Sequence, residues 1–465
     1  MALAAATVAV SSVSADTATP LEAAPFYDSS GTRHGVFLAI YDEETCSGSV
    51  SIHLPRCLAA APTTIPGLGN FTAFATTKGP DSFYIRVQGR ESVALGLHDL
   101  TFHNCTYMTR RFELRRAGRY EVAVWHLYDN YGAWPVDDAV WPPYIGDYMA
   151  IARDGAVLPP SHTAVLTCNR GAAEGERTRP QLPLCAGNEH VPGRWVEAGH
   201  HRVLDWASMT HRHRARTRSI SYEADNCRID GNAMLETKVN ITIYIVGDSH
   251  FRTLANGFAH ALEGATTPYH LANTHELLHA DRVYGNGMRI VYCPFFRPGQ
   301  WVEQCAPHHL DSTDAVVVTG TAAWPLCTVD IPNPNHVQTP DEYAVGLAEG
   351  TLREWGAWLD AAPGRRLIFM SSTATPLYHS DWLVQNHDHR NNFRNTLYDC
   401  IAARAVVHQR MRFLDVFALS YPVSHLSLDH AHYMDAVLRE TVVLVWQAIV
   451  MGDGGGGGGA CGGVR

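Results

Sequence analysis

The stretch "IYIVGDSHFR", residues 243–252, sets a serine directly behind an apolar run. In isolation Gly-Asp-Ser is a common turn tripeptide, so Ser249 alone predicts no more than a turn. A serine hydroxyl is also a weak nucleophile until a neighbouring base takes its proton. Catalysis by Ser249 would therefore require a histidine and an acid that orients that histidine.

Both residue types occur together near the other end of the chain. The sequence contains 26 histidines, so position has to select among them. The segment "LSLDHAHYMD" has Asp429 three residues before His432. An aspartate can hold one ring nitrogen of a histidine and leave the other nitrogen to face the serine. His430 is the alternative base, although its spacing from Asp429 does not fit this pattern.

The elements that must position these residues begin at about residue 240. The predicted strands are "ITIYIV", "MRIVYC", "DAVVVTG", "RRLIFMSS" and "RFLDVFAL" (412–419), and the predicted helices follow Ser249 and cover about 340–361, "FRNTLYDCIAARAVV" and about 433–450. Apolar strands that alternate with helices predict a parallel sheet covered on both faces. Ligands bind at the carboxyl ends of such strands, where Ser249 and the loop with His432 both lie. Ser249 also begins a helix, whose unpaired N–H groups could stabilise an oxyanion.

The preceding part of the chain has a different pattern. Residues 35–132 contain short runs rich in β-branched and aromatic residues, such as "SFYIRVQG" and "RYEVAVWHLYDNYG". Several such runs without a helical pattern predict a β-sandwich. We predict the following organisation: a signal peptide or disordered start at 1–24, a β-sandwich at 25–150, an irregular Cys-containing connection at 151–235, an α/β domain at 236–452 and a flexible glycine-rich tail at 453–465.

The cysteines indicate an oxidising compartment. The chain has 11 cysteines, none in a Cys-x-x-Cys pair, and a dispersed set of this kind is typical of disulfides in the secretory pathway. The sequons at Asn70, Asn104 and Asn240 also predict a secreted or Golgi glycoprotein, although the third enters a predicted buried strand. No apolar run reaches 18 residues, so membrane association would need an anchor upstream of Met1.

Composition and charge exclude some partners. The formal net charge of −10 gives no general attraction to nucleic acid, and we interpret the basic run "HRHRARTR" (211–218) as a solvated loop. The clusters "NHDHR" (386–390) and "PHH" (307–309) lack the paired spacing of metal ligands on a helix. We therefore expect neither a metal nor a bound cofactor, and the sequence indicates no oligomeric state.

These motifs together resemble a known superfamily. "GDSHFR" and "DHAHY" resemble the paired GDS and DxxH motifs of the SGNH/GDSL esterases, and the closer likeness is to the PC-esterase branch. That branch includes the plant trichome-birefringence-like O-acetyltransferases and the NXPE (neurexophilin and PC-esterase) proteins. The segment "LCAGNEHVPGRWVE" (184–197) is similar to the branch's Cys…GRW element. Over roughly 35–450, the resemblance implies an SGNH-hydrolase-like α/β parallel sheet with flanking helices, preceded by an all-β immunoglobulin- or filamin-like sandwich.

The resemblance also implies a role for each matching residue. Ser249 would be the nucleophile of a Ser-His-Asp triad, His432 the general base and then acid, and Asp429 the residue that orients His432. Asp248 would shape the turn. Arg252, in the GDSxxR position, would bind an anionic or hydroxyl-rich group.

The oxyanion donors are where the sequence departs from the superfamily. Its third block supplies an Asn, or a His in plant relatives, but the corresponding stretch here, "VTGTAAWPL" (318–326), has neither. The backbone of Gly320 and the side chain of Thr321 are the remaining candidates. Losing one such donor can lower the rate by about 10²–10³.

The function that the resemblance implies is acyl transfer through an acyl-serine. The acyl group, most simply acetyl from a donor of unknown identity, would pass to a hydroxyl of a glycan or polysaccharide acceptor. A carbohydrate or acyl esterase would use the same triad and pass the group to water. A pseudoenzyme that only binds a glycan or protein is the third alternative, and the departure in the oxyanion block favours it.

Overall fold

The structure is a computed structural model, and it describes only part of the chain. The described residues are 19–27, 33–54, 82–95, 99–128, 162–170, 182–185, 193–197, 220–230, 240–263, 277–294, 312–320, 338, 340–375, 392–406, 410–426, 432–433 and 435–451. The predicted glycine-rich tail lies outside them.

The described strands form three six-stranded sheets. The strands are β1 (Thr19–Tyr27), β2 (Arg33–Asp42), β3 (Ser47–His53), β4 (Ser82–Gln88), β5 (Glu91–Leu95), β6 (Leu100–His103), β7 (Thr106–Thr109), β8 (Phe112–Glu113), β9 (Gly118–Tyr128), β10 (His162–Cys168), β11 (Gly193–Glu197), β12 (Ile220–Ala224), β13 (Thr242–Gly247), β14 (Asp281–Val283), β15 (Arg289–Pro294), β16 (Ala315–Thr319), β17 (Arg366–Met370) and β18 (Met411–Leu414). The helices are α1 (Ser249–Leu262), α2 (Pro340–Val345), α3 (Leu352–Asp360), α4 (Asn392–Ala405), α5 (Phe417–Ser420) and α6 (Asp435–Val450), with a π-helical turn at Gly346–Thr351 and a 3₁₀ turn at Tyr421–Leu426.

The first two sheets are antiparallel and share one hydrophobic core. Their orders are β1-β2-β3-β7-β6, with β8 on β3, and β10-β9-β4-β5-β11-β12. Alternate residues of both sheets, such as Phe37, Ile52, Ile85 and Val122, point into this core, as expected for strands with one buried face. The Cys46–Cys168 disulfide joins the two sheets. The immunoglobulin- or filamin-like topology stays a prediction.

The sequence predictions differ from the structure at both ends of this part. Residues 19–24, predicted as a signal peptide or disordered start, belong to β1. Residues 151–235, predicted as irregular, contain β10, β11 and β12, which extend the second sheet. These strands are short and separated by Pro-, Gly- and Arg-rich stretches, so no local alternation indicates them. The Cys185–Cys227 disulfide connects the stretch before β11 to the one after β12.

The candidate glycosylation sites can be placed in two of three cases. Asn104 is exposed in the turn between β6 and β7, and Asn240 is exposed just before β13. The third sequon enters a buried strand, as predicted, because its Thr242 is the first residue of β13, although Asn240 itself precedes the strand. Asn70 lies outside the described residues.

The Gly-Arg-Trp run at the start of β11 has two close-packed contacts. A side chain at Gly193 would bring its Cβ within 2.4 Å of the Glu223 carbonyl oxygen, so only glycine fits there. The buried Trp195 indole N–H donates a 2.9 Å hydrogen bond to the Leu419 carbonyl. β11 therefore links the second sheet to the α/β part of the chain.

The middle residue of the run carries a buried charge. Arg194 is 4% exposed and forms ion pairs with Glu91, at 3.1 Å, and with Asp225, at 2.9 Å. Glu91, which is fully buried, also accepts a hydrogen bond from the Arg115 backbone N–H. Buried charges are tolerated only when they are paired and hydrogen-bonded. The pair therefore depends on β5 and β11 staying together.

The third sheet is the predicted parallel one. Its order is β14-β15-β13-β16-β17-β18, in which only the edge strand β14 is antiparallel. When the five parallel strands are numbered in chain order, they lie in the sheet as 2-1-3-4-5, a common doubly wound arrangement. In this arrangement ligands bind at the switch point beside the first strand, where the strand order reverses. That switch point is where β13 meets β16. Ser249 and Gly320 follow those two strands.

Helices cover both faces of this sheet, as predicted. On one face Ile243 and Ile245 pack with Phe251 of α1 and Trp446 of α6. On the other face Tyr244 and Val246 pack with residues of α3 and α4, and with Tyr84 and Trp125 of the second sheet. The core of the α/β part is therefore continuous with the outer face of the all-β part. None of the described helices has the length and apolarity needed to span a membrane.

Two predicted elements are interrupted. The helix predicted at about 340–361 contains the π-helical turn, where Gly346 and Gly350 lower helix propensity. The strand predicted at 412–419 ends at Leu414, and α5 begins at Phe417. The chain turns there because the Asp415 carboxylate accepts a hydrogen bond from the Ala418 N–H at 3.2 Å.

Replacing Arg194 with Met tests the buried ion pair. We expect the free energy of unfolding in urea to fall by about 3–5 kcal/mol, because Glu91 keeps its buried charge without its cationic partner. The matched control is Arg289→Met, which breaks the exposed pair with Asp281 and should cost about 0–1 kcal/mol. Equal losses in the two variants would contradict this interpretation.

Candidate active site

Ser249 is the first residue of α1 and follows β13 directly. Asp248 is the N-cap of this helix, and its Oδ1 accepts the His250 backbone N–H at 2.9 Å. N-cap aspartates satisfy one of the N–H groups that a helix leaves unpaired. The Tyr292 hydroxyl of β15 donates to the carbonyl oxygens of Gly247, at 3.0 Å, and Asp248, at 3.2 Å. The turn that presents Ser249 is thus fixed from two directions.

Two glycines allow close packing beneath this turn. A Cβ on Gly247 would lie 2.1 Å from the Phe251 ring, and a Cβ on Gly320 would lie 2.4 Å from the Met370 carbonyl oxygen and 2.9 Å from the Phe251 ring. Phe251 can fill the space between the ends of β13 and β16 only because both positions lack a side chain. Gly320 is buried at the end of β16, and Thr321 lies outside the described residues.

His432 contacts the serine. Its Nε2 lies 2.8 Å from the Ser249 Oγ, although the two residues are 183 positions apart. The His432 side chain is almost fully buried, whereas Ser249 is half-buried. With the serine hydroxyl as donor to Nε2, a neutral ring carries its proton on Nδ1. Asp429 and the alternative base His430 lie outside the described residues, so the identity of the orienting acid stays a prediction.

The loop that follows β17, residues 371–375, lies beside Ser249 and His432 and is held at both ends. The Ser371 hydroxyl accepts the Val416 N–H at 2.8 Å. Thr375 forms three hydrogen bonds with the Asn392 side-chain amide of α4, at 2.7, 2.9 and 3.1 Å. Loop backbone that is buried needs such partners. The loop is therefore a fixed part of the sheet edge.

A buried carboxyl holds the second residue of this loop. Asp399 of α4 accepts the Ser372 N–H at 2.9 Å and the Ser372 hydroxyl at 2.8 Å. Burial raises the pKa of the Asp399 carboxyl well above its ordinary value; the hydrogen bonds from Ser372 oppose the shift, and the nearby Asp415 carboxylate adds to it. The contribution of this carboxyl to stability therefore depends on pH.

Tyr433 anchors the residue next to His432. Its hydroxyl donates to the Ala374 carbonyl at 2.6 Å and lies 3.5 Å from the Ser424 carbonyl. The Ala374 N–H in turn donates to the Ser420 hydroxyl at 2.8 Å. The backbone that carries His432 is thus tied to the loop that follows β17.

The all-β part supports the segment 417–426, which precedes the predicted Asp429 and His432. The Trp195 indole donates to the Leu419 carbonyl at 2.9 Å, and the Tyr84 hydroxyl donates to the Tyr421 carbonyl at 3.1 Å. Both donors are fully buried. The second sheet therefore contacts the candidate site through this segment.

Sequence reasoning placed some of these residues and missed others. Arg252 lies half-buried on the first turn of α1, and its backbone N–H donates to the Asp248 carbonyl at 3.0 Å; its predicted ligand role stays a prediction. Tyr292, Asp399 and Tyr433 contribute to the site through contacts that the sequence pattern does not predict. Only Tyr433 had a local signal, since it belongs to the "DHAHY" motif.

Among the described residues, no three His, Cys, Asp or Glu side chains group closely enough to hold a metal ion. The histidine clusters at 307–309 and 386–390 lie outside the described part of the chain. The cysteines Cys105, Cys293 and Cys400 are disulfide-bonded in addition to the two pairs described above. The disulfides fit a secreted or secretory-pathway protein.

Comparison with known proteins gives only weak likenesses. No family model matches the chain, and no curated protein matches it. A solved carbohydrate esterase family 2 enzyme with a carbohydrate-binding domain, from Corynascus thermopiles (Myceliophthora fergusii), is 9% identical over 89% of this chain and 92% of that chain, with a TM-score of 0.28. Another crystal structure is 14% identical over 46% of this chain and 100% of that chain, with a TM-score of 0.29. Similarity at this level carries no argument, and the PC-esterase resemblance remains a prediction.

Replacing Asp399 with Asn tests whether this buried carboxyl makes the stability of the protein depend on pH. Between the ordinary aspartate pKa and the raised value, the folded protein binds a proton that the unfolded chain has lost, so this carboxyl lowers stability as pH rises. An amide does not titrate and can keep both contacts with Ser372. The stability of Asp399→Asn relative to the wild type should therefore increase from about pH 4 to about pH 7, by about 1.4 kcal/mol for each unit of pKa difference.

Urea unfolding across this pH range provides the measurement. Asp360→Asn is the control, because the Asp360 side chain is 70% exposed and pairs only at the surface, with Arg410 at 3.1 Å; a pair of this kind is worth about 0–1 kcal/mol, so the difference from the wild type should change little with pH. A pH-independent difference for Asp399→Asn as well would show that the buried carboxyl does not titrate in this window.

Proposed function

We propose that the chain is a serine-dependent acyl-transferring enzyme that forms an acyl-Ser249 intermediate. The observation that carries the proposal is the 2.8 Å contact between His432 Nε2 and Ser249 Oγ at the first residue of a helix. A serine with a base in hydrogen-bond reach is the arrangement that activates its hydroxyl. The place of Ser249 beside the switch point of the parallel sheet supports the same proposal.

The first half of the reaction acylates the serine. Ser249 Oγ attacks the carbonyl carbon of the acyl donor as its proton moves to His432 Nε2. The tetrahedral intermediate then collapses, the bond to the leaving group breaks, and the imidazolium returns its proton to that group. Asp429 would accept the Nδ1–H and stabilise the imidazolium. The second half repeats these steps, with the acceptor hydroxyl as nucleophile and the serine as leaving group.

The oxyanion would be bound at the start of α1. Two N–H groups of this turn already donate, from His250 to Asp248 Oδ1 and from Arg252 to the Asp248 carbonyl. We assign the oxyanion to the Ser249 N–H, which belongs to the nucleophile's own residue, aided by Gly320 at the neighbouring strand end. This assignment needs no third-block Asn, and Thr321 could add a side-chain donor. A half-buried serine also leaves room for the acceptor.

For the acceptor we propose a glycan hydroxyl and for the acyl group acetyl, in the secretory pathway. The support is the motif resemblance to the PC-esterase branch, including the Gly-Arg-Trp run that binds the all-β part to the segment 417–426. An immunoglobulin- or filamin-like sandwich before an SGNH-like domain belongs to the same proposal. Water could use the same acyl-enzyme, because Ser249 is only half-buried, which makes an esterase the second candidate.

Labelling with a fluorophosphonate probe tests the nucleophile. The wild type should label on Ser249, Ser249→Ala should not label, and His432→Ala should label at least about 10²-fold more slowly, since it loses general-base assistance. Peptide mapping identifies the labelled residue. Labelling that survives in Ser249→Ala, or a wild type that does not label, would favour the non-catalytic alternative.

The products distinguish the two catalytic candidates. The enzyme is incubated with an activated acetyl ester, with and without oligosaccharide, and both acetate and acetylated sugar are quantified by mass spectrometry. A transferase should form acetylated sugar at the expense of acetate when the oligosaccharide is present. Equal acetate in both reactions and no acetylated sugar would identify an esterase instead.

A further inference from the structure

We propose that His250 is a positioning residue that keeps the His432 imidazole facing Ser249, with Thr373 fixing His250 in turn. The inference rests on the proposed function, because it concerns the same serine and base. The two imidazole rings lie beside each other in a tilted arrangement, with centroids 4.9 Å apart and an angle of 32° between their planes. The His250 Nδ1 lies 3.4 Å from the Thr373 hydroxyl.

The base needs such support because its geometry is demanding. A general base acts only within about 2.6–3.2 Å of the proton it takes, and the backbone anchor at Tyr433 does not fix rotation of the His432 ring. The hydrogen bond at Nε2 restrains one edge of this ring, and in the proposed mechanism Asp429 would restrain the Nδ1 edge. The ring of His250 adds a flat surface against one face, which limits the remaining rotation.

His250 is itself held in place and can therefore restrain the His432 ring. It is the second residue of α1, and its backbone N–H is held by the N-cap Asp248 at 2.9 Å. Its ring therefore moves with the same helical turn that carries Ser249. The nucleophile and the support for its base thus share one rigid element, as preorganised sites require.

Thr373 connects this turn to the loop at 371–375. Its neighbours are fixed, Ser372 by Asp399 and Ala374 by the hydroxyls of Ser420 and Tyr433. Within this loop only Thr373 is not buried. Its hydroxyl thus extends from a rigid loop towards the His250 ring, on the solvent-facing side of the site.

Different side chains can separate the two parts of the interaction. His250→Ala removes both the ring and the contact with Thr373. His250→Phe keeps a flat ring against His432 but cannot bond to Thr373. Thr373→Val keeps the volume of the threonine and removes only its hydroxyl. His260→Ala is the matched control, since it removes a histidine from the last turn of the same helix.

The test is the kinetics of fluorophosphonate labelling, which separates the maximal rate of acylation, kinact, from probe binding, KI. We expect His250→Ala to lower kinact about 10- to 100-fold, as misplacement of a catalytic group does, with KI unchanged. His250→Phe should recover most of the rate, Thr373→Val should lose part of it, and His260→Ala should match the wild type. A purely structural defect would instead lower stability, measured by urea unfolding, without rescue by Phe.

The kinetics of these variants separate a failure of the positioning role from a failure of the proposed function. If His250→Ala and Thr373→Val fold and keep the wild-type kinact while His432→Ala does not, the positioning role is wrong and the proposed function stands. If His250→Ala does not fold, Thr373→Val decides instead: a partial loss of kinact supports the role, and a wild-type kinact overturns it. If the wild type does not label, the proposed function and the inference fail together.

Discussion

The 2.8 Å hydrogen bond between Ser249 and His432 is the contact on which the rest of the candidate site depends. Each partner comes from a different end of the α/β part, so the bond exists only when the parallel sheet is fully assembled. The N-cap Asp248 and the Tyr292 hydroxyl fix the serine side. Tyr433 and the loop that follows β17 fix the histidine side. The site is thus a property of the sheet edge, since no single segment contains it.

The all-β part contributes to this edge as well. Trp195 and Tyr84 each donate a buried hydrogen bond to the backbone of the segment before the DxxH motif. An unpaired buried carbonyl costs about 1–3 kcal/mol, so these donors favour one conformation of that segment. The Arg194–Glu91 ion pair holds the strand that carries Trp195. The two parts of the chain are therefore structurally interdependent, which gives the Gly-Arg-Trp run a physical reason.

The sequence predicted the features that local pattern encodes. Continuous apolar runs alternating with helical periodicity predicted the parallel sheet, and the rule for strand ends predicted that Ser249 and His432 share one edge. The strands β10 to β12 were missed because short strands between Pro- and Gly-rich stretches form only when another sheet pairs with them. The roles of Asp399, Tyr292 and Trp195 were missed for a related reason: each acts through a tertiary contact with distant backbone, which no periodicity reveals. The orienting acid and Thr321 remain predictions.

The most direct test of acyl transfer is to trap the intermediate. The protein is mixed with an activated acetyl ester, quenched in acid and digested, and the peptide that contains Ser249 is measured by mass spectrometry. We predict that this peptide gains the mass of one acetyl group, that fragmentation assigns the group to Ser249, and that His432→Ala greatly reduces it. An unmodified Ser249 peptide, or equal acetylation in His432→Ala, would contradict an acyl-serine mechanism.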